Sequence, residues 1–252
     1  MIRQSVPRRR EFDRLDSGRS ARGITLVEVL VVIAIVGVLA ALLIPAVQRS
    51  REAASRTMCS NNYKQVGIAL IRFHDTNGAL PAASISSPGP AGASWRVAIL
   101  PYLEQNNLYE QFAINEPVSS QTNLKAASII PKVYECPSGS LAAPGTTYHQ
   151  ALVGRNSALA ASKGTRFATF LKGVSGTILT TESKTSAAWA SSGDLSFGTD
   201  AASLLPNLGG YPHAYGFHAL FGDGSVRFLQ STISADEFRG MVSKTGSETS
   251  SR

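Results

Sequence analysis

Cysteine is scarce: the 252 residues contain two, Cys59 and Cys136. Two thiols this far apart make no disulfide scaffold, and they lack the short paired spacings of a zinc finger or ribbon. Acids are also few, 17 against 24 Lys and Arg, for a net charge of +7. The excess is uneven. Residues 1–23 hold seven Arg against three acids, a net of +4. The rest of the chain has no Lys/Arg stripe interleaved with aromatics, so nucleic acid is not an expected partner. No phosphate-cradling glycine loop, no dinucleotide fingerprint and no nucleophile elbow occurs. These absences remove the common nucleotide-, zinc- and serine-dependent enzymes, and no cofactor or metal is expected.

What the sequence does have is an uncharged run. From Val29 to Ile44 there is no charged or strongly polar side chain. Counted from Ile24 the segment is about 21 residues, and at about 1.5 Å per residue a helix of that length spans the ~30 Å hydrocarbon core of a bilayer. One carboxylate, Glu28, lies near its start. An acid at that depth costs about 2.5 kcal/mol or more on insertion scales, which marks it as a functional candidate. The run is too long for a secretory signal peptide, and no small-residue cleavage site follows it. The arginines at 8–10, 14, 19 and 22 outnumber Arg49, Arg51 and Arg56 on the far side. The N-terminus is therefore expected in the cytoplasm and the C-terminal part outside it.

Gly23-Ile24-Thr25-Leu26-Val27-Glu28 followed by this run resembles the prepilins of type IV pili and the type II secretion pseudopilins. The resemblance implies a basic leader, residues 1–23, cut after Gly23 by a membrane peptidase that also methylates Ile24. Ile24 stands where that family usually has Phe. It further implies that Glu28 pairs with the methylated amine of Ile24 or of a neighbouring subunit, and that Pro45 lies near the end of the membrane helix. Ile24 and Glu28 are four residues apart and share one side of the helix. The opposing reading of Glu28 is a carboxylate snorkelling to the headgroups.

The helix is expected to continue past Ile44, kinked by Pro45. Val47, Ala54, Met58, Val66, Leu70 and Phe73 recur at spacings that suit one face, and Asn77-Gly78 with Leu80-Pro81 forms the stop. The division is a leader at 1–23, a transmembrane part at 24–44, an amphipathic extracytoplasmic part at 45–77 and a head at 78–252. Ala82–Ala93 reads as a loop. Ser94 can cap a helix from Trp95, Pro101 should break it, and Tyr102–Phe112 and Leu124–Ile130 should be helical. Val133–Cys136 reads as extended, Thr147–Val153 and Gly176–Glu182 as strands, and Trp189–Phe197 as irregular. Phe217–Phe221, then Gly222-Asp223-Gly224, then Ser225–Leu229 predicts a β-hairpin. Ser234 should cap a last helix through Met241. The fold class is α+β and pilin-like, with the long helix packed on a head that contains an antiparallel sheet.

Further stretches resemble the prepilin-like DUF1559 family, described by a C-terminal H-x9-DG motif, here His213 with Asp223-Gly224. They are Cys59-Ser60-Asn61-Asn62, Phe73-His74-Asp75, Ser94-Trp95-Arg96 with Leu100–Gln105, and Cys136-Pro137-Ser138. Two stretches depart from that pattern: Gly173–Thr177, and Thr181-Glu182, which replaces a Gly-Glu pair. The family has no known activity, so the resemblance implies architecture and export route and no reaction. Because Cys59 and Cys136 both fall in matching stretches and outside the membrane part, a bridge between them is expected. Closing a loop of about 77 residues stabilises by about 4 kcal/mol on the chain-entropy model.

His213 and Asp223 invite a catalytic or metal reading, with His218 or Asp194 as co-ligands. Strand spacing opposes it: Asp223 belongs at the hairpin tip and His213 near its base, about 20–30 Å away. Asp223-Gly224 is then turn chemistry and His213 a loop or packing residue. His74 suits the negative end of the helix dipole, and Ser138, Ser175 and Ser225 read as turn residues. An enzyme would require His213, His218 and an acid within about 3 Å of one another. The expected function is a single-pass, membrane-anchored, pilin- or pseudopilin-like structural protein processed by prepilin peptidase. Its expected partners are the membrane, that peptidase and pilin-like neighbours. An anchored module that binds carbohydrate or an envelope protein is the alternative.

Overall fold

The computed structural model describes residues 25–85, 90–139, 143–198, 204–209, 213 and 215–245. Gly23, Ile24 and the leader lie outside the described residues. The chain divides into two compact units, residues 1–48 and 49–252.

Helix α1, Leu26–Asn77, is 52 residues long and contributes to both. Its start is a capping box. The Thr25 N–H and hydroxyl donate to Glu28 Oε2 at 2.8 and 2.9 Å, and the Glu28 N–H returns a 3.3 Å bond to Thr25 Oγ1. The helical assignment runs unbroken through Pro45. In the first unit the apolar side chains of Leu26 to Ile44 are exposed. By length and composition this is a helix able to cross a membrane. At the other end Gly78, at φ +72°, donates to the His74 carbonyl at 2.7 Å. A left-handed residue without Cβ is what this kind of helix stop needs.

The second unit is built on a five-stranded sheet, β1 Thr146–Val153, β2 Ile178–Ala188, β3 Leu195–Ser196, β4 Gly216–Phe221 and β5 Val226–Gln230. The order is β3-β1-β2-β4-β5; β3 is parallel to β1 and the other neighbours are antiparallel. The β4–β5 hairpin turns at Asp223-Gly224, where the Ser225 N–H donates to Asp223 Oδ1 at 2.9 Å and Gly224 sits at φ +79°.

One sheet face carries Leu179 and Leu220 into a core with Tyr63, Val66, Ala69 and Leu70 of α1 and with Trp95, Leu100 and Trp189. The other carries Ile178, Phe217, Ala219 and Phe221 against Phe238 and Val242 of α5, Ala235–Val242. Ser234 caps α5 by accepting from the Glu237 N–H at 3.2 Å. The buried stripe of α1 differs from the expected one. It runs through Cys59, Tyr63, Val66, Gly67 and Leu70, while Val47 and Met58 are half exposed. Gly67 marks the closest approach: a Cβ there would stand 2.7 Å from Leu220 Cδ1 and 3.3 Å from Gly224 Cα.

The connecting segment is more broken than its apolar pattern suggests. Ser94 caps α2, Trp95–Ala98, and Pro101 opens a 3-10 turn, Leu100–Leu103. The helix expected over Tyr102–Phe112 shrinks to α3, Asn106–Tyr109, because Glu104 at φ 60° interrupts it. Ser120 caps α4, Gln121–Ala127, three residues earlier than expected. Val133–Cys136, expected to be extended, starts inside a 3-10 turn, Lys132–Tyr134, entered from Pro131.

Candidate functional site

A polar cluster lies inside the second unit, between α1 and the sheet. Glu52, Cys59 and Tyr63 lie seven and four residues apart, which places them on one helix face. Opposite them, His149 of β1 pairs with Glu182 of β2 in the ladder, and β4 supplies His218. His213 precedes β4, and Cys136 follows the Lys132–Tyr134 turn.

The geometry centres on Glu182, which is fully buried. Its Oε2 accepts from the His218 N–H at 2.8 Å and contacts His218 Nδ1 at 3.0 Å. Its Oε1 has no hydrogen-bond partner among the described residues and lies 3.6 Å from His213 Nε2. His213 is itself fully buried; its Nδ1 lies 2.8 Å from Glu52 Oε1, and its Nε2 is 3.6 Å from Cys136 Sγ. The Ser138 hydroxyl donates to the second Glu52 oxygen at 3.0 Å. Cys59 and Cys136 form a disulfide with a Cα–Cα separation of 5.6 Å.

Around this centre the packing is aromatic and the charges are paired. Tyr63 stacks on His149 at 3.9 Å, and Arg56 lies over Phe228 at 3.8 Å. Burial, then the Arg96 cation and His218, lower the His149 pKa to about 3, so its ring is neutral. Burial, then the Glu182 charge, raise the Tyr63 phenol well above its usual range, with Arg96 opposing. Fully buried Arg96 is held by Asp194 Oδ1 at 2.5 Å, by the His149 carbonyl and by Ser94 Oγ. Such a pair removes the penalty of an isolated interior charge.

The sequence-derived candidates distribute unevenly. Gly23 and Ile24 lie outside the described residues. Glu28 caps its own helix, and Pro45 is internal to α1. His213 lies at a bend before β4, as expected of a loop residue, and packs on His218 and Phe228; it is also a member of a carboxylate–imidazole cluster that was not expected. Asp223 and Gly224 lie in the hairpin turn, away from it. Asp194, considered as a co-ligand of His213, is engaged instead by Arg96, by Trp95 Nε1 at 3.2 Å and by the Ala151 N–H at 2.8 Å. Ser138 does more than turn the chain, since it holds Glu52. His74 stacks on Phe167 at 4.0 Å and accepts from the Phe167 N–H at 3.3 Å.

Sequence reasoning missed Glu52, Glu182 and Arg96 as site residues. Glu182 carried a signal, a charge inside an otherwise buried strand, because such a charge demands a partner. Glu52 carried none beyond its place seven residues before Cys59. The Thr25-x-x-Glu28 pattern before an apolar run would have given the capping box.

Chemically, the cluster can hold a proton or a cation between imidazole and carboxylate. Glu182 binds His218 at 3.0 Å but stands 3.6 Å from His213, and all three side chains are buried.

Residues 18–44 match the model of the prokaryotic N-terminal methylation motif. Residues 48–154 match that of a protein family of unknown function, DUF1559, in a region that includes Glu52, Cys59, Arg96, Cys136 and His149. No curated protein and no solved structure matches the chain. The two family matches, one over the membrane-compatible end of α1 and the other over the stretch that holds half the polar cluster, agree with the resemblance to the prepilin-like DUF1559 family read from the sequence.

Proposed function

We propose that the chain is made as a prepilin, cut after Gly23, methylated at Ile24 and anchored by residues 24–44, with residues 78–252 outside the cytoplasm. The observation that carries this reading is the methylation motif over 18–44, coinciding with an exposed apolar stretch of α1. In soluble surroundings such a surface would be an aggregation liability; in lipid it needs no cover.

Glu28 is the proposed assembly residue. Its capping bonds use Oε2. Oε1 is left for the positive N-terminus of a neighbouring stalk at the same depth. That charge exists only after cleavage, since the Ile24 nitrogen is an uncharged amide in the precursor. Processing and assembly are thereby coupled. The test is cross-linking of processed wild type and Glu28→Val in native membranes. A ladder in wild type that is lost in the variant supports a pilin-like assembly. Equal ladders remove Glu28 from it, and no ladder in either makes the protein a solitary anchored head.

A second reading, an anchored module that binds carbohydrate or an envelope protein, draws on one observation. A cleft of about 710 Å³ opens beside the disulfide, lined by Asn61, Asn62, Lys132, Tyr134, Cys136 and Tyr148 among others. Exposed Asn61 and Lys132 offer hydrogen-bonding groups to a sugar at its wall, and glycan-array binding by the extracted protein tests it.

A further inference from the structure

We propose that Cys59, Cys136, Glu182 and His213 form a tetrahedral site for a thiophilic divalent cation of the zinc type, opened when the Cys59–Cys136 disulfide is reduced.

The four ligand atoms lie within 4.8 Å of one another, on one half-buried and three buried residues. In tetrahedral zinc sites, bonds of about 2.0–2.3 Å set neighbouring ligand atoms about 3.3–3.8 Å apart. His213 Nε2 already stands 3.6 Å from Cys136 Sγ and 3.6 Å from Glu182 Oε1. Two edges of the tetrahedron are therefore present while the sulfurs are still joined.

The surrounding bonds orient these atoms as ligands. A carboxylate only accepts, so Glu52 Oε1 at 2.8 Å holds a His213 proton on Nδ1 and aims Nε2 inward. This is the carboxylate–histidine–metal arrangement in which the outer carboxylate sets the tautomer. Ser138 holds Glu52 in turn. Both donors from His218 go to Glu182 Oε2, which leaves Oε1 as a buried oxygen without a hydrogen-bond partner among the described residues. With His213 neutral, an imidazole lone pair and a carboxylate oxygen face each other at 3.6 Å. Two acceptors in that position repel unless a proton or a metal cation stands between them.

The disulfide decides whether the cation can be a metal, because thiolates are ligands and a disulfide is not. Reduction by an external dithiol breaks the Sγ–Sγ bond with two electrons and two protons, and the dithiol leaves as its own disulfide. Binding of M²⁺ then releases the two thiol protons. Cys136 lines the cleft beside the disulfide, which gives reductant and metal a route to the sulfurs.

The test uses the full chain extracted from membranes in detergent, as isolated and after reduction by a non-chelating phosphine. Each form is dialysed without oxygen against Zn²⁺ or Co²⁺ in competition with a chelator. The reduced protein should retain about one equivalent of zinc, and its cobalt form should show a thiolate-to-cobalt charge-transfer band with tetrahedral d–d absorption. The oxidised protein and the Cys59→Ser/Cys136→Ser variant should retain none. Glu52→Gln should keep the stoichiometry and weaken affinity about 10–100-fold. Three results would overturn the site: no zinc on the reduced wild type beyond the serine variant, equal zinc on the oxidised form, or a cobalt spectrum without the thiolate band. The cobalt spectrum of the wild type decides the question even if a variant misfolds. In the first case a proton alone separates His213 from Glu182.

Discussion

Glu52 Oε1 lies 2.8 Å from Nδ1 of His213, a residue 161 positions further along the chain. The contact joins α1 to the segment that feeds β4, and it ties the amphipathic part of the helix to the sheet by a polar link beside the disulfide.

Glu52→Ala should therefore leave a buried imidazole N–H unsatisfied. Its cost should be about 1–2 kcal/mol, at the low end because the Glu52 side chain is 44% exposed. Glu52→Gln, which keeps an acceptor, should cost less than about 1 kcal/mol. Urea unfolding of the oxidised protein measures both, and equal losses in the two variants would show that the bond to His213 carries no stability.

Arg96 and Asp194 make a pair with almost no exposure, 0% and 3% for the two side chains. Asp194→Ala strands a buried guanidinium and should destabilise by about 3–5 kcal/mol. The double variant Arg96→Met/Asp194→Leu should recover a large part of that loss, because the uncompensated charge is gone. Chemical unfolding of the three proteins checks the ordering, and a double variant no better than Asp194→Ala would contradict it.

The local features of this fold were legible in the sequence; of the long-range ones, the Cys59–Cys136 bridge was expected through the family resemblance, and the polar cluster was not. The apolar run, the serine caps at 94 and 234 and the Asp223-Gly224 hairpin each depend on neighbours within a few residues. Expecting Met58 and not Cys59 in the buried stripe was an error of one position. Apolar character alone does not fix the phase of a helix whose polar face also meets a core. Beyond the lone charge of Glu182 in a buried strand, the site around it left no mark in the sequence, for a different reason. His149, Glu182 and His218 meet only through the register of β1, β2 and β4, and Glu52 joins them only through the packing of α1. The loop position of His213 was legible, but its distance was judged against Asp223, whereas its partners are Glu52 and Glu182.

Gly67 tests the closeness of α1 to the hairpin. Gly67→Ala brings a Cβ to 2.7 Å from Leu220 Cδ1, which can move, and to 3.3 Å from Gly224 Cα, which is backbone. A loss of about 1–3 kcal/mol is expected despite the better helix propensity of Ala. Adding Leu220→Ala should relieve the side-chain clash without relieving the backbone one. A Gly67→Ala protein as stable as wild type would show that helix and hairpin are not in close contact.

His149 should make stability depend on pH. Its pKa is lowered from 6.5 to about 3 in the folded protein by burial, with the Arg96 and His218 charges adding to it. Between those values the unfolded chain binds the proton and the folded protein does not. Stability is therefore full above the unfolded value and falls as pH drops through the window, by about 1.4 kcal/mol per pH unit from this residue. His149→Phe keeps a ring against Tyr63 and removes the proton. The difference between wild type and variant should change by roughly 2–3 kcal/mol between pH 6.5 and 4.5. Parallel pH profiles would refute the assignment.

Whether the chain is a processed prepilin is decided by the intact mass of the protein extracted from membranes of the expressing cell. A processed prepilin gives a species lacking residues 1–23 and carrying one added methyl group on Ile24, and a Gly23→Leu variant remains at precursor mass. A full-length or otherwise cut wild-type protein, with an unmethylated N-terminus, would contradict it.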